Sequence, residues 1–401
     1  MLGVAAGSLF KKKIRLMWRG ERDAVAMLRR CVDPAAQYVW FHAASLGEFE
    51  QGRPLIERLR AAHPEYKILL TFFSPSGYEV RKHYPGADIV CYLPLDTVRN
   101  ARRFLRAIRP VMAFFIKYEF WYNYLHILQH RGVPVYSVSS IFRPQQIFFR
   151  RYGTEYSKVL RCFTCLFVQN EQSRTLLASI GIDRVRVTGD TRFDRVMQIK
   201  QAHKRLPIVE AFKSTASERG GGVFVAGSSW QSDEAAFMPY FERHTAWKMI
   251  VAPHVVSDEH IAQITARTSR KVVRYTQATP ATAADADVLI IDCFGLLSSV
   301  YAYADIVAIG GGFGVGIHNV LEAAVWGVPV VFGPNNKRFD EAQGLIACGG
   351  GYEYTDAHTF ADIADSLIDD TAHRQRSATV AAQYVADRCG ATDRILSSLN
   401  L

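Results

Sequence analysis

No run of 18 apolar residues occurs among the 401, so the sequence holds no complete transmembrane helix. No unit of 20–50 residues repeats, which excludes a solenoid. Cysteine is scarce: seven residues, an odd number, scattered through apolar surroundings. Cys162 and Cys165 form a lone CxxC. A zinc site needs a second pair of ligands at matching spacing, and there is none. The segment around them, VLRCFTCLFVQ, reads instead as a helix end running into a buried strand. No secretory leader precedes the cysteines, so a reducing cytoplasm is the expected compartment. Acidic residues are in deficit, 38 against 48 basic, which leaves a formal charge of +10.

What is present is ordinary globular material. Apolar residues make up 49% and charged residues 21%, which excludes a disordered chain, a coiled coil or a small disulfide scaffold. The positive charge favours an anionic partner: nucleic acid, a membrane surface or a phosphorylated substrate. Residues 11–30 carry eight basic residues against Glu21 and Asp23, six of the ten net charges. Lys12, Lys13 and Arg15 lie there beside Ile14, Leu16, Met17 and Trp18. That mixture suits an interfacial helix on anionic lipid, or the end of a short apolar anchor. No nucleic-acid motif accompanies the charge.

Short, continuous apolar runs alternate with amphipathic stretches, the pattern of a parallel α/β sheet covered on both faces. One series runs from YVWFHAA (38–44) to RVRVTG (184–189), and a second from VFVAGSS (223–229) to VPVVFG (328–333). The polar stretch 198–222, with Pro207 and three consecutive glycines, is the expected linker. The expected domains are 1–205 and 206–401. Residues from about 358 onward read as helix. Ligands in such sheets bind at the carboxyl ends of the strands, so a cleft between the two halves is expected there.

Four segments at strand ends carry candidate chemistry. In HAASLGE (42–48), Ser45 and Glu48 fit a helix-capping box. The same Glu48, after a strand, suits a general base. In IKYEFWYN (116–123), Glu119 is a second acid among aromatics. In AGSSWQSDE (226–234), Gly227, Ser228 and Ser229 precede a helix, where backbone N–H groups bind phosphate. In IGGGFGVGIHNVLEAAVWGVPVVFG (309–333), Gly310 to Gly316, with Gly311 and Gly312 among them, are expected to offer a backbone concavity to phosphate, and His318 and Asn319 to stand at a helix start. Glu322, one turn on, suits a ribose diol. No acid closes a second strand about 20 residues later, which disfavours a dinucleotide-dependent dehydrogenase.

These motifs, with FVQNEQSRTLLASIGIDRVRVTGDTRFD and the Ala252-Pro253-His254 turn, are together similar to the 3-deoxy-D-manno-octulosonic acid (Kdo) transferases from about Tyr38 onward. The resemblance implies a GT-B glycosyltransferase of two Rossmann-like domains facing each other across a cleft, the first for the acceptor and the second for the donor. It implies inverting transfer of Kdo from CMP-Kdo to a lipid A precursor on the cytoplasmic face of the inner membrane, with no metal and no cofactor. Glu48 then maps to the catalytic base and Glu119 to the second acid. Gly227–Ser229, Pro253, His254, Gly311, Gly312, His318, Asn319 and Glu322 map to the donor site. The basic segment with Trp18, and Arg150 and Arg151 in IFFRRY, suit acceptor phosphates and membrane. The chain departs from the family at three places. Ala252-Pro253-His254 replaces Pro-Arg-His, Lys117 replaces the first of two acids, and Gly295 is followed by leucine rather than glutamate. A UDP-sugar transferase or epimerase, or a non-catalytic lipid-binding protein of the same fold, are the alternatives.

Overall fold

The computed structural model describes residues 12–314 and 316–399, with side chains from Arg15 on. It divides into two units: a first that ends at Arg195 and resumes at Cys389, and a second spanning Val196–Arg388.

The first unit is built on β1 Gln37–Ala43, β2 Tyr66–Phe72, β3 Ile89–Tyr92, β4 Met112–Ile116, β5 Val135–Ser140, β6 Cys165–Val168 and β7 Val185–Val187. They form one parallel sheet in the order β3-β2-β1-β4-β5-β6-β7. The second holds β8 Val223–Ser229, β9 Lys248–Pro253, β10 Val272–Arg274, β11 Val288–Ile290, β12 Ile306–Ile309, β13 Val330–Phe332 and β14 Gly351–Glu353, again all parallel, in the order β10-β11-β9-β8-β12-β13-β14. Thirteen of these strands fall on the apolar runs of the sequence. β14 is the addition: three residues at a sheet edge, begun by a glycine, leave no apolar run to detect.

Alternate residues of each strand face opposite sides. Trp40 and Phe115 therefore pack with helices α1 (Lys12–Cys31), α3 (Val98–Ile108) and α4 (Tyr122–His130), through Leu28, Phe104, Leu105, Tyr124 and Leu128. Phe41 and Phe114 face the other side, against Phe49, Leu55 and Leu59 of α2 (Leu46–Ala62). Helix α3 shows how sequence sets this. Thr97 caps its start, Ala101, Phe104, Leu105 and Ile108 form a buried stripe, and the opposite side is arginine.

The expected linker is mostly helix. α5 (Thr191–Gln201) crosses the division between the units, and α6 (Pro207–Glu218) starts where Pro207 occupies its first turn, a position proline favours. Only residues 202–206 connect them. The division thus lies at 195/196 rather than 205/206.

In the second unit α7 (Gln231–Arg243) follows β8, and α8 (Leu321–Ala324) follows the glycine-rich loop. The chain then returns to the first unit through α9 (Ala391–Leu396). Ile395 and Leu399 join the first unit's core. Asp194 accepts from the backbone N–H of Gly390 at 2.5 Å and of Thr392 at 2.7 Å. The expectation that the tail is helical holds, but only its last part, from Cys389, belongs to the first unit, where these apolar side chains and Asp194 hold it. No helix among the described residues is long and apolar enough to cross a membrane. Residues 1–11 and the side chains of Lys12 and Lys13 lie outside the described residues.

Candidate active site

β1 and β4 are adjacent and parallel, so their carboxyl ends deliver His42, Glu48 and Glu119 to one place. His42 is fully buried. Its Nδ1 lies 2.9 Å from Thr71 Oγ1, and its Nε2 lies 3.1 Å from Glu119 Oε2. Trp40 Nε1 donates to Thr71 Oγ1 at 2.8 Å, and Trp121 Nε1 donates to Glu119 Oε2 at 2.6 Å. Between β4 and Glu119, Lys117 adopts φ of 63°, and Ser140 Oγ holds its carbonyl at 2.7 Å. Such a conformation costs a non-glycine residue of order 1–3 kcal/mol, so the surrounding bonds must enforce it.

Glu48 does form the capping box: its Oε2 accepts from the Ser45 N–H at 3.0 Å, and its own N–H donates to Ser45 Oγ at 3.5 Å. Capping does not exhaust it. Burial raises the Glu48 carboxyl above its ordinary value, and the charge of Glu119 raises it further. Burial also opposes ionisation of Glu119, but the hydrogen bond and charge of His42, with the Trp121 bond, outweigh it and hold that carboxyl low. Two neighbouring carboxyls pushed in opposite directions give one fixed anion and one group with a raised affinity for a proton, the division of labour that general-base chemistry uses.

The second unit gathers the other candidates. Ser229 ends β8 and Pro253 ends β9, and the His254 N–H donates to Ser229 O at 2.9 Å. Ser228 takes φ of 53°. Gly227 must be glycine, since a Cβ there would collide with the Tyr301 hydroxyl. Trp230, His254 and His318 form a stack, with ring centroids 4.7 and 4.4 Å apart. Trp230 Nε1 donates weakly to His318 Nε2 at 3.4 Å. Asn319 Nδ2 donates to Glu322 Oε1 at 3.2 Å, and Asn319 Oδ1 accepts from the Leu321 N–H at 3.2 Å.

Two expectations for this unit change. Of the five glycine amides in 310–316, four already donate within the protein, among them Gly311 to Asp233 Oδ2 at 3.0 Å. The run is therefore a folded loop more than an open cradle. The helix after it, α8, has four residues and begins at Leu321, so His318 and Asn319 precede it and its dipole is small. Burial, and then the charge of His254, push His318 down to about 4, so it meets a phosphate as a neutral hydrogen-bonding group. The chain's one Asp-x-Asp, Asp285 and Asp287, is engaged by Lys271 and Arg219.

The family profile of 3-Deoxy-D-manno-octulosonic-acid transferase (kdotransferase) matches residues 17–195, nearly the whole first stretch of the first unit. The 3-deoxy-D-manno-octulosonic acid transferase of Bordetella pertussis is 28% identical over 92% of this chain and 88% of its own length. The transferase of the same name from Aquifex aeolicus is 26% identical over 79% of this chain and 81% of its own. Over most of its length the chain is similar to the Kdo transferases. Solved structures add the fold. UDP-GlcNAc 2-epimerase from Neisseria meningitidis aligns with a TM-score of 0.62 at 14% identity, covering 90% of this chain and 99% of that one. MurG from Acinetobacter baumannii aligns at 0.57 and 11%, covering 90% and 98%. The two parallel-sheet units are those of the GT-B fold.

In this chain two residues of the site escape sequence reading, His42 and Trp230. Both lie inside motifs read for their neighbours, Glu48 and Ser229. The remaining candidates are on the first unit's surface. Arg15 is exposed and Trp18 half-buried on α1. Arg150 and Arg151 are exposed and follow Ile147 and Phe148, which with Phe120, Tyr122, Tyr156, Val159 and one acid, Glu155, line a mostly apolar groove of about 490 Å³.

Proposed function

We propose that the chain is an inverting glycosyltransferase that moves Kdo from CMP-Kdo to a lipid A precursor, without a metal, at the cytoplasmic face of the inner membrane. The observation that carries the reading is the carboxyl pair at the ends of β1 and β4, within the segment matched by the family profile. Glu48 takes the proton from an acceptor hydroxyl. The hydroxyl oxygen bonds to the anomeric carbon of Kdo, the bond from that carbon to the phosphate oxygen breaks, and its electron pair leaves with CMP. Glu119, held ionised by His42 and Trp121, keeps Glu48 basic. The second unit supplies two neutral hydrogen-bonding groups for phosphate, His318 and Asn319, and the Glu322 carboxyl for ribose.

A lipid acceptor agrees with the groove beside Arg150 and Arg151. It begins one residue from Glu119 and offers a mostly apolar lining to acyl chains, while Arg150 and Arg151, without an acidic partner among the described residues, stand within four residues of its Ile147 and Phe148 to meet phosphates. Incubation with CMP-Kdo and lipid A precursor, followed by mass spectrometry of the lipid, tests the reading; the product gains the mass of one or more Kdo units. Transfer from a UDP-sugar but not from CMP-Kdo would replace the donor, and the absence of transfer from either would leave a lipid-binding protein.

A further inference from the structure

The outer sides of α1, α3 and α4 form a layer with little acidic charge. α3 exposes Arg99, Arg102, Arg103 and Arg106. α1 exposes Arg19, Arg22, Arg29 and Arg30, with Asp23 as its one exposed acid. α4 contains no acid at all. Arg99, Arg102, Arg103, Arg106 and Arg109 have no acidic partner among the described residues. Guanidinium groups this close ordinarily recruit carboxylates, and here they repel one another.

The array closes around one depression. Arg109 ends α3 in the left-handed conformation, with φ of 45°, and Arg131 ends α4. With Arg106, Pro110, Leu128 and Val133 they line a hollow of about 300 Å³. Arg131 Nη1 is anchored on Leu105 O at 2.9 Å. Burial and then the charges of Arg106 and Arg109 make the Arg131 guanidinium less basic than usual, which reports three cations converging without a counter-ion. The hollow sits where chain enters β4 and β5, while Glu48 and Glu119 sit where chain leaves β1 and β4. It is therefore at the opposite end of the sheet from the carboxyl pair and is not part of that site.

We propose that Arg106, Arg109 and Arg131 seat the phosphate of an anionic phospholipid headgroup, with the arginines of α1 and α3 resting on neighbouring headgroups. Three convergent guanidinium groups match the several oxygens of one phosphate, each able to bind in a bidentate manner. The flanking arginines, spread along two helices, match a bilayer surface better than a single small ligand. The inference rests on the reading that the enzyme works at a lipid surface, and it names where the first unit would touch that surface.

The full chain is to be measured by co-sedimentation with vesicles of phosphatidylcholine alone and of phosphatidylcholine with phosphatidylglycerol. Wild type is compared with R106Q/R109Q/R131Q and with R99Q/R102Q/R103Q, which removes the same charge outside the hollow. Loss of a cation near an anionic surface lowers partitioning about fivefold, so the second variant is expected to lose ~100-fold at low salt. The hollow variant is expected to lose at least about tenfold more, because it also loses the bidentate bonds. R106Q/R109Q, which keeps the Arg131 anchor, guards against a folding defect and is expected to exceed its own charge effect likewise. Equal losses in the two triple variants would overturn the seat and leave a diffuse field. Equal competition by millimolar inorganic phosphate and by vesicles would make it a free-phosphate site, and tighter binding of RNA than of anionic vesicles would overturn the lipid assignment. Turnover on a short-chain soluble acceptor separates this from the proposed reaction: its persistence in the hollow variant while vesicle binding falls is the expected pattern, and vesicle binding by a chain that transfers no Kdo would instead fault the reaction.

Discussion

Glu48→Gln separates the two roles that one side chain fills. The capping box accepts glutamine as readily as glutamate, because the amide oxygen can still take the Ser45 N–H now held at 3.0 Å. What remains to be lost at the helix start is the charge, about 0.3–1 kcal/mol of helix stability. Proton abstraction, by contrast, has no substitute, since an amide is not a base at neutral pH. Removing a general base costs about 10²–10⁴ in turnover, which is ~3–5 kcal/mol of activation free energy. The two roles thus differ by several-fold in energy and appear in different assays. The variant should melt within a few degrees of wild type, should bind CMP normally through the second unit, and should transfer Kdo at a hundredth of the rate or less. Glu48→Ala should be equally inactive and also less stable, by about 1 kcal/mol for the lost bond. Initial rates with CMP-Kdo and lipid A precursor, paired with thermal melts, read both. Turnover within about threefold of wild type in Glu48→Gln, with Glu48→Ala destabilised, would reduce Glu48 to a helix cap and refute the base.

Other outcomes follow from the same structure. Glu119→Gln removes one of the two causes that raise Glu48, so the acid limb of the pH–rate profile should move to lower pH while burial keeps it above the ordinary 4.5; an unmoved limb would uncouple the pair. His318 is held at about 4 against an ordinary 6.5, so the unfolded chain takes up its proton first as pH falls. Stability should therefore drop by roughly 3 kcal/mol between pH 6.5 and 4, and His318→Asn should flatten that part of a denaturation series. Glu322→Ala should weaken CMP binding by about 1–3 kcal/mol in calorimetry. Turnover should survive EDTA; loss restored by magnesium would end the metal-free mechanism. Glutamine at Lys12, Lys13 and Arg15 should lower binding to anionic vesicles most at low salt, where screening is weakest.

The sequence was most legible where one strand or one turn decides the outcome. Runs such as KILLTFF and VFVAGSS must be buried strands, and Ser45 to Glu48 is a local hydrogen-bond pattern visible in four residues. It was least legible where distant residues meet. His42 and Glu119 stand 77 positions apart, and only the adjacency of β1 and β4 makes them partners. Pro207 read as a break because proline ends helices in their interior, whereas in the first turn it starts one. The glycine run read as an open phosphate cradle because spacing does not reveal that Gly311 already serves Asp233. The arginines of α3 were in plain view, but their lack of carboxylate neighbours is a property of the folded surface.

The return of α9 to the first unit has a consequence for biogenesis. The second unit is in effect inserted between Arg195 and Cys389, so a ribosome delivers all of it before the first unit's last side chains appear. Ile395 and Leu399 belong to the core beneath α2, and Asp194 must wait some two hundred codons for Gly390 and Thr392. The first unit therefore matures last although it is made first, and until then its core is open to chaperones and proteases. A chain stopped after Arg388 should keep a protease-resistant second unit and lose the first, the reverse of what translation order alone would suggest.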